Sequence, residues 1–190
     1  MGHNTPRSTR KVALLTIALV FTAFVTKPGT VAATVFHSRS EIPHLAFPDA
    51  DRVEVRDLFV TTAERSEIER VARATLESDL VSVYEGYAGD RLLGYAMLDS
   101  HIVRTLPEAL LIVLDPAGRV TTTHVMAFHE PLDYLPGERW LRLHEGKGLS
   151  DDLRIDRDIV GITGATLSAH AVMNSVRRTL AIYQVLLSGH

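Results

Sequence analysis

The spacing of apolar and polar positions divides this chain into a strand-rich middle and a helical end. Residues 80–87 alternate with period two, Gly89-Asp90 supplies a turn, and residues 91–99 continue as a second strand. Residues 109–114 form an apolar run rich in branched side chains. Asp115-Pro116-Ala117-Gly118 then makes a turn, and residues 119–128 read as another strand. Strands joined by such short connections predict a small antiparallel sheet built from hairpins, with residues 53–60 as a further short strand. Residues 63–77 carry Ile68, Val71, Ala72 and Leu76 at helical spacing, and Ser66 followed by Glu69 approximates a capping box. Residues 136–143 form a short helix holding Trp140, the only tryptophan, and 146–157 are loop-like. The strongest element is a long helix over 165–187. Val172, Val176, Leu180, Tyr183 and Leu187 form its apolar stripe, with Arg177, Arg178 and Gln184 off it and the two arginines read as its solvated face. A sheet followed by packed helices predicts an α+β fold.

The N-terminus changes this picture. Arg7, Arg10 and Lys11 precede an uncharged apolar run over 12–25, which Thr26, Lys27, Pro28 and Gly29 break. This is the layout of a signal peptide, with Val31 and Ala33 at −3 and −1 of a cleavage site. If it is not cleaved, the same run anchors the chain in a membrane. The basic residues before it hold the N-terminus inside and send the remainder across. The expected organisation is therefore 1–33 signal peptide or anchor, 34–62 linker and possible first strand, and 63–190 the functional domain. The expected location is the periplasmic or extracytoplasmic face of the inner membrane.

Residues 1–33 contain four of the 20 basic residues and none of the 23 acidic ones, so the rest holds 16 basic and 23 acidic residues, a net charge of −7. An acidic domain with no basic stripe argues against nucleic acid. The absence of cysteine excludes disulfides, thiolate metal sites and cysteine nucleophiles within the chain. Nine scattered histidines make neither an i, i+4 helical pair nor an HExxH motif, so no metal site is assigned. Gly-x-Gly-x-x-Gly is absent, which argues against direct NADH oxidation by this chain alone.

The segment richest in chemistry is Thr163-Gly164-Ala165-Thr166-Leu167-Ser168, where a loop enters the long helix. Free backbone N–H groups and the positive end of the helix dipole converge there, which suits an anion such as phosphate. Gly164 lets the backbone turn and Ala165 leaves room. Thr163 is placed to cap the helix, with Thr166 at its third position. An ordinary capped helix accounts for the same residues. Ser168 is a rival hydroxyl, but two residues on along a helix it points about 200° away from Thr166. A hydrolase built on Ser168 and His170 fails for the same reason, and no nucleophile elbow is present.

Thr163-Gly164-Ala165-Thr166 resembles the Ser/Thr-Gly-Ala-Thr motif of the FMN-binding domain family, which includes the flavinylated subunits of the sodium-pumping NADH:quinone oxidoreductase and of Rnf-type electron-transport complexes. Its context is similar: one N-terminal hydrophobic segment, a motif opening a long helix near the C-terminus, His129-Glu130-Pro131, and Trp140 followed by Gly146-Lys147. The resemblance covers roughly residues 80–187. It implies FMN held covalently through a phosphoester on Thr166, a separate flavin transferase for maturation, and a membrane-bound haem or quinone protein as redox partner. The implied role is an exported flavoprotein electron carrier; a non-covalent flavin-binding or degenerate binding module of the same fold is the alternative. Val160 stands where the family usually has Asp, three residues before the motif, with Asp156 and Asp158 nearby. His129 and Glu130 become candidates to face the isoalloxazine. Trp140 is a core residue or a flavin-stacking one, and Lys147 a phosphate neighbour or a loop charge.

Overall fold

The computed structural model describes residues 34–150 and 164–189, together with residues 1, 2, 153, 159 and 161. The apolar run over 12–25, Thr163, Val160, Asp156 and Asp158 lie outside the described residues. No helix among the described residues is long and apolar enough to cross a membrane.

The fold is α+β, as expected. Six antiparallel strands form one sheet in the order β1-β6-β5-β4-β3-β2. They are β1 (Thr34–Val35), β2 (Arg52–Phe59), β3 (Leu80–Ala88), β4 (Arg91–Ile102), β5 (Pro107–Leu114) and β6 (Val120–Phe128). β3 to β6 are consecutive hairpin neighbours, so their register follows from the short turns, whereas β2 pairs with β3 across a connection that contains a helix. The unbroken apolar run of β5 has a simple cause. Leu110, Ile112 and Leu114 face one core while Leu111 and Val113 face another, so both sides of the strand are buried.

The larger core lies between the sheet and two helices, α2 (Thr62–Ala72) and α4 (Thr166–Ile182). α2 begins at a capping box of Thr61 and Glu64, not at Ser66 and Glu69: Thr61 N–H donates to the Glu64 carboxylate at 2.8 Å, and Glu64 N–H donates to Thr61 Oγ1 at 3.3 Å. It ends five residues earlier than its apolar spacing suggests, because Arg73 turns left-handed at φ 53°. α4 continues through a π-helical turn, Tyr183–Leu187, so the stripe of Val172, Val176, Leu180, Tyr183 and Leu187 meets the sheet as anticipated.

The stretch expected to be a linker is part of the fold. Thr34–Val35 adds a sixth strand to the sheet, paired with Phe128 and Ala127. α1 (Ile42–Ala46) then covers the opposite face through Ile42, Ala46 and Phe47. Pro43, inside this expected linker, stands in the first turn of the helix. Phe47 lies flat over Gly86 of β3, where any Cβ would collide with its ring. A short helix α3 (Glu138–Leu141) carries Trp140 against the larger core.

Candidate functional site

The long helix opens beside a cleft. α4 begins at Thr166, so Thr166 is its first residue and not its third, and the residue at the cap is Ala165. An alanine side chain accepts no hydrogen bond, and the first turn holds no acidic side chain. The entrance of the helix, with its backbone N–H groups and the positive end of the helix dipole, lies at this cleft. Gly164, at φ 87°, makes the left-handed turn into it. Gly164, Ala165, Thr166, Leu167 and Ser168 form one wall of a cleft of about 160 Å³. Thr166 and Leu167 are exposed there, whereas Ala165 and Ser168 are buried.

The opposite wall comes from one end of the sheet. Val103 and Arg104, just beyond β4, and Glu130, two residues past β6, line it together with Tyr134. Glu130 works as a clamp. Its carboxylate accepts the N–H groups of Thr105 at 2.8 Å and Leu106 at 3.0 Å, and the Thr105 hydroxyl at 3.3 Å. These donors, the Thr105 N–H foremost, hold its pKa below the usual carboxylate value. The clamp fixes the β4–β5 connection, and so sets Arg104 at the cleft with its guanidinium 6.0 Å from the Tyr134 ring.

The sequence candidates therefore separate. Thr166, Gly164, Ala165, Ser168 and Glu130 share the cleft; Thr163 is outside the described residues. His129 lies beside it but turns away: its backbone N–H and ring Nδ1 both meet the Pro107 carbonyl, at 3.1 and 3.0 Å. Lys147 sits at the other end of β6. Gly146, at φ 74°, and Lys147 bracket the start of β6, with Gly146 N–H donating to Val120 O at 2.7 Å and Val120 N–H to Lys147 O at 2.9 Å. The length of β6, roughly 25 Å at strand rise, separates this loop from Glu130. Trp140 packs edge-to-face on His144, with ring centroids 5.0 Å apart, on the main core and away from the cleft.

Arg104 and Tyr134 escape a reading of local motifs. One signal was available. A β4–β5 hairpin and the chain leaving β6 must share a sheet end, which places Arg104 beside Glu130.

A second polar constellation lies deeper along α4. His101 of β4 bridges two carboxylates, with Nδ1 2.9 Å from Asp99 Oδ2 and Nε2 3.0 Å from Glu108 Oε2. Ser175 donates to Asp99 at 2.5 Å and lies 3.0 Å from His101 Nδ1. Arg178 clasps Asp99 through Nε at 3.0 Å and Nη2 at 2.6 Å. Arg178 is only 3% exposed, so it does not belong to a solvated face; the Asp99 carboxylate compensates its burial. Arg177 is half-buried and donates to the Ala72 carbonyl at 2.5 Å, closing the end of α2. Burial pushes the His101 pKa down, but bonds and charges from Asp99 and Glu108 outweigh it and raise the value to about 9. Burial likewise pushes Asp99 up, and His101, Arg178 and Ser175 reverse this, holding it well below the usual range. Ser175, His101 and Glu108 stand in a serine–histidine–acid line, but Ser175 is fully buried and has no access to a substrate.

No protein-family model matches the chain, and no curated protein matches it.

Proposed function

We propose that this protein is an exported flavoprotein electron carrier, with FMN joined by a phosphoester to Thr166. The observation that carries the reading is the position of Thr166. An exposed threonine begins the longest described helix, in a cleft shared with the helix entrance and Arg104. That is where a phosphate dianion is best stabilised, by backbone N–H groups, the helix dipole and a guanidinium together. The cleft volume suits a phosphate and the start of a polyol chain, and the apolar surfaces of Val103, Tyr134 and Leu167 suit a flat ring at its mouth. The residues present therefore fit FMN. When bound, FMN supplies one- and two-electron transfer chemistry.

The chain's own residues do the remaining work. Helix α4 and Arg104 orient the phosphate. Glu130 keeps Arg104 in place by clamping the Thr105–Leu106 backbone. The covalent tether keeps the cofactor on a protein that works outside the cytoplasm, where lost FMN is not replaced. The N-terminal segment delivers the domain to the outer face of the membrane, where a haem or quinone protein supplies the electrons. A flavin transferase forms the bond.

The test is production of the full chain with a flavin transferase in a bacterial periplasm, followed by a denaturing gel under ultraviolet light. A fluorescent band that disappears in Thr166→Val supports the reading. A dark band from folded protein removes the covalent bond, and flavin recovered after native purification of that protein would establish non-covalent binding instead. Val160, in place of the family's usual Asp, favours this second outcome over loss of flavin altogether.

A further inference from the structure

The buried cluster and the cleft share three structural elements. Along β4, His101 stands two residues before Val103 of the cleft wall, about 7 Å at strand rise. Glu108 is paired with Phe128, two residues before Glu130 of the same wall. Along α4, Ser175 lies two turns beyond Ser168, about 10 Å at helical rise. The His101–Glu108 pair is the part of the cluster nearest the cleft; Asp99 and Arg178 lie further along the same strand and helix.

The cluster is not what packing alone would select. Glu108 has a fully buried side chain, and its Oε1 has no hydrogen-bond partner among the described residues. A buried carboxylate oxygen without a partner costs stability, and well-packed apolar side chains commonly do as well as a buried ion network or better. The charges facing His101 are Asp99 on its own strand and Glu108 on the next. Arg178 comes from the helix packed above, and Glu77 lies 4.0 Å from Arg178 at the rim. Within the cluster two positive and two negative charges balance. A change at one member therefore leaves a net charge in a poorly screened interior.

We propose that the His101–Glu108 pair sets the electrostatic potential of the cleft and so tunes the midpoint potential of the flavin held there. This rests on the reading of the cleft as an FMN site. Reduction makes the flavin more electron-rich. The His101 cation favours the reduced form, and the Glu108 carboxylate opposes it. Both are positioning residues; neither lines the cleft.

Signed charge changes test this. The flavinylated full chain is titrated by spectroelectrochemistry at pH 7, as wild type, His101→Gln, Glu108→Gln, the double variant and Ser175→Ala, with a thermal melt of each. His101→Gln lowers the midpoint potential and Glu108→Gln raises it. The double variant returns toward the wild-type value, and Ser175→Ala, which removes hydrogen bonds but no charge, leaves it in place. A purely structural role would move the single variants the same way, or move none of the potentials while lowering the melting temperatures; either result overturns the proposal. If His101→Gln does not fold, Glu108→Gln, nearly isosteric, decides alone: an unchanged potential in folded protein overturns the proposal. If the wild type accepts no flavin, the FMN reading itself falls, and the tuning role with it.

Discussion

The first turn of α4 and its middle are built on opposite terms. At the start, Thr166 and Leu167 are exposed, the cap residue is an alanine, and the polar groups face a cleft. Two turns further on, Ser175 and Arg178 are buried and tied to Asp99 and His101 of the sheet. One helix thus has an end that lines a cleft and a middle bolted to β4. The difference separates binding from stability, and substitutions at the two places should have opposite signatures.

The largest stability effect is expected in the middle. Arg178→Met leaves Asp99 buried without its guanidinium partner, and should cost about 3–5 kcal/mol in chemical denaturation. If the loss is below about 1 kcal/mol, the clasp does not fasten the helix. The next effect is a pH dependence. His101 has a folded pKa of about 9, above its unfolded value near 6.5, so its contribution is complete below about pH 6.5 and is lost as pH rises through about 9. Stability should fall by roughly 2–3 kcal/mol across that window, and the fall should be missing in His101→Gln. Asp99, with its depressed pKa, contributes above about pH 4, and that part is lost only on stronger acidification. A flat profile from pH 6 to 10 in the wild type would break the account of the buried pair.

A smaller effect is expected on the other face of the sheet. Gly86→Ala pushes against the Phe47 ring, and should cost about 1–3 kcal/mol while leaving flavin loading unchanged. The cleft end gives the smallest stability effect. Arg104→Gln should change stability by no more than about 0.5 kcal/mol, as for an exposed side chain. Free FMN or inorganic phosphate, however, should bind the variant more weakly in calorimetry. Unchanged binding would remove Arg104 from the phosphate site.

The sequence made the sheet legible because its hairpins are local. Alternation and turn chemistry, as at Asp115-Pro116-Ala117-Gly118, set register within a few residues. The covered second face was not legible. Ile42, Ala46 and Phe47 lie among prolines and polar residues, and only contact with β4, β5 and β6 shows what they bury. Arg178 misled for a related reason: a charge off the apolar stripe reads as solvated until Asp99, 79 residues away, is seen beneath it. At the site, Thr166 was visible through a contiguous motif and Glu130 through its neighbours. Arg104 and Tyr134 reach the cleft only through the way strand ends gather.

The Thr166 hydroxyl is the proposed point of attachment, and intact mass spectrometry tests it most directly. After co-production with a flavin transferase, the mature chain should gain the mass of FMN less one water, with the added mass on the peptide containing Thr166. Thr166→Val should remain at the unmodified mass with an unchanged melting temperature. A wild-type chain that stays unmodified, or a modification that survives in Thr166→Val, would contradict the account.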